Sequence, residues 1–347
     1  MRCLTITLNP TVDTTYWLDD LVIGGTNRVR RMRQVAAGKG VNVARVMRCL
    51  GRDVVATGFL GGDNGRFIAD ALRAEGVVTR FEWLERGASR NCHTLVDART
   101  SSSTEILERG PELTEGDRQR FLDRLETLLP GVEAVVIAGS MPEGATHGFL
   151  QKLVRLVRSR AHRLFVDASG PALQDLLACR PDLIKPNADE MTMLMGRQAP
   201  LTEQVEFART ELIGTLMPDD GQVLLTLGKD GALLISRDHV LRAQNPEVDA
   251  VNTVGCGDAL MAGFVESWLE GQGDVNALRS AVACGSAAAM REVAGEIDVD
   301  DRDRLLGQVE LSMVDRAGDI VPLAGAGRTL IPFPESFRYP LRRITSR

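Results

Sequence analysis

The stretch NTVGCGDALMAGF, residues 252–264, sets a lone carboxylate, Asp258, directly behind Gly255, Cys256 and Gly257 at the start of a helical pattern. Glycines let successive backbone N–H groups converge on one point, and a helix start adds partial positive charge, so residues 255–257 are where an anion would be held. A carboxylate beside such a hole can take the proton from a hydroxyl as that hydroxyl attacks a phosphoryl group. The helix dipole by itself also stabilises an acid in a first turn, a purely structural reason for Asp258. The stretch AAGKGVNVARV, residues 36–46, repeats the theme with Gly38, Lys39 and Asn42 at another helix start, where an ordinary strand-to-helix turn with an exposed lysine is the plain alternative. Neither stretch matches GxxxxGK(S/T) or GxGxxG. In KPNADEM, Lys185, Asn187 and Glu190 follow a strand-like run. Asn and Glu three apart suit the outer shell of a hydrated Mg²⁺, and the same spacing makes a capping box.

These groups need elements to hold them. Short aliphatic runs recur at 3–8, 54–60, 134–139, 163–168, 182–187 and 222–228. Helical patterns lie between them: Val43, Val46, Met47 and Leu50 are spaced i, i+3, i+4, i+7 and stopped by Gly51, and Phe149, Leu150, Leu153, Val154 and Val157 follow Thr146 as a cap. Continuous apolar strands alternating with amphipathic helices predict a mostly parallel sheet covered on both faces, with ligands at the carboxyl ends of its strands. Residues 13–36 and 89–107 break this rhythm, reading as alternating strands without a helix, and could form a small sheet over the mouth of the main domain. The tail, residues 325–347, has three prolines and five arginines without periodicity and reads as docked or loose.

The bulk properties set outer limits. The 347 residues are 44% hydrophobic and 25% charged, as in a soluble globular protein. A formal net charge of -6 argues against nucleic acid as the main partner, while leaving room for a small anionic substrate. The six cysteines form no CxxC pair, which fits a reduced cytosol, and the opening MRCLTITLNP has no secretory pattern, so a cytoplasmic location is expected. No apolar run approaches the ~18 residues of a membrane span. His93, His147, His162 and His239 stand apart, which removes support for a metal cluster or a Ser-His-Asp triad. Arg28, Arg30, Arg31 and Arg33 make a basic run of the kind that is usually a solvated face, though one or two could reach a phosphate.

In order along the chain, TLNPTVD, AAGKGVNVARV, FLGGDNG, AGSMPEG, VDASG, KPNADE, LTLGKDGALL and NTVGCGDALMAG resemble the ribokinase-like (PfkB) carbohydrate kinases, over about residues 1–310. SRNC followed by TEILERGPEL is most similar to tagatose-6-phosphate kinases, and DTTYWLDDL with TNRV is shared with 1-phosphofructokinases. The resemblance implies a three-layer α/β/α fold with a mostly parallel central sheet and a small β-sheet lid, built from about 13–36 and 89–107, that pairs two subunits in many members. It implies ATP-dependent phosphorylation of a ketohexose monophosphate with Mg²⁺ as cofactor. Carried over by position, Asp258 is the base and the N–H groups of Gly255, Cys256 and Gly257 are the anion hole. Asp13, Gly38, Lys39 and Asn42 hold the sugar hydroxyls, and Arg90, Arg28 and Lys39 its phosphate. Lys185, Asn187 and Glu190 serve the ATP phosphates and the Mg²⁺ waters, and Thr226, Gly228, Gly231, Gly257 and Ser286 border the nucleotide.

Two departures and a tail stand out. Cys256 takes a place where the family has Ala or Ser, and a thiol at a helix N-terminus predicts a lowered pKa and slow inactivation by alkylating agents. Glu296 in EVAGEI takes a place near the nucleotide where many relatives carry a small hydroxyl residue. Residues 311–347 exceed the family core, with no role assigned. Three other readings predict different features. A kinase of a free sugar or nucleoside on this fold needs no phosphate-binding lid, a non-catalytic regulator loses the base or the anion hole, and a dehydrogenase carries a glycine fingerprint after its first strand.

Overall fold

In a computed structural model of the protein, described for residues 2–100, 102–160, 163–314 and 320–321, the chain opens with β1 (Arg2–Thr7), β2 (Thr11–Leu18), β3 (Arg31–Ala37), α1 (Lys39–Cys49), β4 (Asp53–Leu60) and α2 (Gly62–Ala74). It continues through β5 (Val78–Thr79), β6 (Glu82–Trp83), β7 (Arg90–Asp97), β8 (Ser102–Leu107), α3 (Glu115–Leu128), β9 (Val132–Ala138), α4 (His147–Arg158) and β10 (Arg163–Asp167). Then come α5 (Pro171–Leu177), β11 (Leu183–Ile184), α6 (Ala188–Met195), α7 (Leu201–Phe207), β12 (Gln222–Thr226), β13 (Ala232–Ile235) and β14 (Val240–Gln244). The last elements are α8 (Cys256–Leu269), α9 (Gly273–Ala289), α10 (Val299–Leu306), β15 (Glu310–Val314) and β16 (Ile320–Val321).

The six aliphatic runs all lie in the central sheet, ordered β16-β15-β14-β13-β12-β11-β10-β9-β1-β4-β5, with β6 beside β4. Pairing is parallel from β12 through β4, β5 and β6, and antiparallel from β12 out to β16. Sequence order reverses between β1 and β9, the switch point beside which ligands sit in doubly wound sheets. Alternate residues of one strand feed opposite cores: Ala134, Val136 and Ala138 face the side of α1, α8 and α9, while Val135 and Ile137 face the side of α3 and α4. This is the three-layer α/β/α arrangement.

The predicted helix stop and cap operate as chemistry requires. Gly51 adopts φ 77 just past α1, and Thr146 Oγ1 accepts from Phe149 N at 3.3 Å at the start of α4. Helices α8 and α9 pack closely through small residues: a Cβ on Gly263 would stand 2.6 Å from Ser280 O. The two irregular regions form a separate four-stranded sheet, β3-β2-β7-β8. Among the described residues no helix is long and apolar enough to cross a membrane. His162 and most of the tail lie outside the described residues, although 310–314 and 320–321 extend the central sheet.

Candidate active site

The chain enters α8 through Gly255, whose φ of 80 favours glycine, and a Cβ there would also stand 2.7 Å from Ala294 Cβ. Behind it, the N–H groups of Gly255 and Gly257 have no backbone acceptor among the described residues, and that of Cys256 reaches Thr253 O only at 3.4 Å. Asp258 follows in the first turn and is buried, with Oδ2 accepting from Asn42 Nδ2 at 2.8 Å. Gly38, at φ 116, turns β3 into α1 and thereby places Lys39 and Asn42 against α8. Burial, and then the nearby Asp167 carboxylate, push the Asp258 pKa up to about 7; the Asn42 bond, Lys39 and Lys185 offset only part of this. A base with that value is poised near neutrality.

Asp167, at the end of β10, is fully buried between two cations. Lys39 Nζ donates to its Oδ1 at 2.7 Å, and Lys185 Nζ lies 2.9 Å from its Oδ2, an ion pair rather than an aligned hydrogen bond. Burial alone would raise the Asp167 pKa, but Lys185 and Lys39 outweigh it and hold the group below the usual aspartate range. Burial likewise disfavours the Lys39 ammonium, and Asp167 overrides it, so Lys39 stays charged above the usual lysine range. A Cβ on Gly257 would stand 3.1 Å from Lys185 Nζ, which brings that ammonium up to the open amides of α8. In the sequence, the sign of this role is the acid that closes the apolar strand RLFVD, since a buried carboxylate requires a partner.

The KPNADEM segment realises the capping box. Asn187 Oδ1 accepts from Glu190 N at 2.8 Å, and Glu190 Oε2 accepts from Asn187 N at 2.9 Å. The other oxygen, Glu190 Oε1, stands 3.8 Å from Lys39 Nζ. Thr226 bridges to Asn187, Gly228 faces open space, and Gly231 lies so close to β14 that a Cβ would meet Ala243 O at 2.0 Å. Ser286 is buried in α9 with no partner for Oγ, next to Gly285, whose built Cβ would stand 3.3 Å from Cys256 O.

On the small sheet, Asp13 and Arg90 lie near the junction with the main domain, where Thr11 pairs with Arg90 and Ala37. Burial pushes the Asp13 pKa up to about 6, against the Thr11 hydrogen bond and the charge of Arg90. Arg90 spends Nε on Asn9 O at 3.3 Å and Nη1 on Glu108 O at 3.0 Å. A cavity of ≈ 490 Å³ separates this face of the sheet, including Asp13, Thr15, Val35 and Thr94, from residues 250–254 and 292–294. Asp258 is not among the residues that line this cavity. Arg28 is exposed and lies beyond the Trp17–Arg31 pair, at the far end of the sheet from Arg90.

Residues 3–300 match the model of the pfkB family carbohydrate kinases. The chain belongs to that family. It is 32% identical to a tagatose-6-phosphate kinase from Staphylococcus epidermidis over 310 residues, covering 89% of this chain and 98% of the relative. Phosphofructokinase-2 from Escherichia coli, solved with substrates and products, superposes with a TM-score of 0.80 at 26% identity, covering 89% of this chain and 99% of that one. The same enzyme in complex with potassium gives a TM-score of 0.81 at 26% identity, covering 88% and 98%. The protein is thus a carbohydrate kinase by family.

For this pfkB chain the expectation of a reactive Cys256 is corrected. Its thiol is half-buried, with Sγ against Asn252 O at 3.6 Å, and burial followed by the Asp258 charge pushes its pKa up to about 11. The amide field at the helix start is outweighed by desolvation and a neighbouring carboxylate. Brief iodoacetamide treatment at neutral pH is expected to label exposed Cys49 and leave Cys256 unlabelled; peptide mass spectrometry showing Cys256 labelled first would reverse this correction.

Proposed function

We propose that the protein transfers the γ-phosphoryl group of ATP to a hydroxyl of a ketohexose monophosphate, giving the bisphosphate. The observation that carries this reading is the buried Asp258 immediately behind three backbone N–H groups that are unspent or weakly spent, with Lys185 at their edge. Asp258 accepts the proton of the acceptor hydroxyl as its oxygen attacks phosphorus, and the N–H groups of Gly255, Cys256 and Gly257 hold the charge on the transferring group. Lys185 adds fixed positive charge, held in place by Asp167. Phosphoryl transfer asks for positioning and charge stabilisation more than for covalent chemistry, which suits this set.

Asp13, Gly38 and Asn42 are assigned to the sugar and Arg90 to its phosphate. Lys39, already balanced by Asp167, contributes to that phosphate less than its position in sequence implied. Thr226, Gly228, Gly231 and Ser286 are assigned to the nucleotide side. Among the described residues no three His, Cys, Asp or Glu could hold a metal directly. With Glu190 Oε2 and Asn187 Oδ1 committed to the capping box, the fit is to hydrated Mg²⁺ met by Glu190 through water, which when bound neutralises phosphate charge.

The outer face of the small sheet presents Tyr16, Met32, His93 and Ile106, and Met32 and Ile106 are exposed. That apolar face supports pairing of two copies through their lids. Six free cysteines support a reduced, cytoplasmic setting.

A coupled ADP-release assay tests the reading on tagatose 6-phosphate, fructose 1-phosphate, fructose 6-phosphate and the free ketohexoses, with the mass of the assembly measured by light scattering. One phosphorylated sugar is expected to exceed the free sugars in kcat/KM by at least the roughly tenfold that a charge-assisted contact contributes. Turnover of free sugars or nucleosides alone would remove the assignment of Arg90, and a single-chain mass would remove lid pairing.

A further inference from the structure

Strand β3 points two arginines of alternate register, Arg31 and Arg33, at the segment between α9 and α10. Arg31 Nη2 lies 3.0 Å from Glu292 Oε2, with the guanidinium 3.8 Å above the Trp17 ring. Arg33 Nη2 lies 2.5 Å from Glu296 Oε1. The same Glu296 oxygen is 3.6 Å from Nη2 of Arg45, a buried residue of α1. Arg45 is itself held on the main domain, donating from Nη1 to Ala294 O at 2.8 Å and from Nε to Glu75 Oε2 at 2.7 Å. One carboxylate therefore joins a cation of the small sheet to a cation of the main domain.

The segment that carries Glu296 packs on the reaction centre. Ala294 fills the space beside Gly255, and a Cβ on Gly295 would stand 2.9 Å from Oδ1 of Asn42, the residue that bonds Asp258. On the sheet side, Val35 lies two residues past Arg33 on the same face, opposite Asp13, and both line the cavity. Two strand residues span about 7 Å. The height at which Arg33 is held therefore governs how far the Asp13 face stands from the anion hole.

We propose that Glu296 is a positioning residue: by bridging Arg33 and Arg45 it ties the seating of the small sheet to the loop that supports Gly255 and Asn42. Its kinetic consequence rests on the reading that the sugar lies beneath that sheet; the tie itself does not. Loss of either end of the Arg33–Glu296 contact unseats β3.

The test uses Glu296→Gln, Arg33→Gln and the double variant in the full chain. In the ligand-free protein, amide hydrogen exchange over residues 31–37 is expected to be faster in all three, with exchange outside β3 and the 292–296 loop unchanged. The acceptor KM is expected to rise by about fivefold in each, the scale of a partly exposed ion pair, with kcat and the ATP KM within about twofold of wild type. The double variant should match either single one, since both remove the same contact. The difference from wild type should shrink as KCl is raised towards 1 M. Unchanged exchange over β3, or additive effects in the double variant, overturns the proposal. So does a raised acceptor KM in Arg33→Gln with none in Glu296→Gln, which would assign Arg33 to the substrate phosphate. Should wild type turn over no sugar phosphate while the exchange difference persists, it is the substrate reading that falls.

Discussion

Asp258→Asn lowers kcat by on the order of 10²- to 10⁴-fold, the usual worth of a general base, with ATP and acceptor affinity close to wild type. The amide keeps the shape of the carboxylate and can still meet Asn42, so what disappears is the ability to take a proton. In wild type, kcat/KM rises with pH through a value near 7, where burial and Asp167 set the Asp258 titration. Stability runs the other way. The folded pKa lies above the ordinary aspartate value, so the native state binds the extra proton, and Asp258 costs stability progressively as pH rises from about 4 to about 7. Asp258→Asn escapes that cost. Its melting temperature relative to wild type is expected to climb between pH 5 and pH 8, read by thermal denaturation across that range. A variant with near-normal turnover, or one whose relative stability falls with pH, would falsify the assignment of the base.

Asp167→Asn is the second large effect, and it is one of stability. The carboxylate is fully buried and neutralises Lys185, which is itself buried, along with Lys39. Removing one member of a buried ion pair strands the other and costs about 3–5 kcal/mol. Urea denaturation at pH 7 reads the whole of it. Because the folded Asp167 pKa is depressed, its contribution is present above the ordinary aspartate range and is lost as pH falls from that range through the lower folded value, so the gap to wild type narrows in strong acid. A second readout separates this role from packing. The Asp167 charge raises the Asp258 pKa, so its removal is expected to move the acid limb of the kcat/KM profile to lower pH. A destabilised variant with an unmoved limb would leave Asp167 as a scaffold residue only.

Residue order alone carried the architecture and the glycine turn with its acid at the start of α8. Period-two and period-3.6 hydrophobic patterns are local, and local sterics decide them, so the six core strands, the stop at Gly51 and the Thr146 cap were legible. So was the glycine turn ahead of Asp258, because only glycine tolerates φ 80 there and only a helix start leaves amides free. Contacts across the fold decided the rest. Asp167 took its role from two lysines 128 and 18 positions away in the chain, which the start of α1 and the end of β11 bring to the end of β10. Cys256 lost its expected reactivity because burial and Asp258 outweigh a helix start, a balance set by what packs around the thiol. Glu190 divides between a cap and Lys39, and Glu296 bridges an arginine of the small sheet to one of α1. Each depends on desolvation and charge at distances below 4 Å, and those distances exist only once the chain has folded.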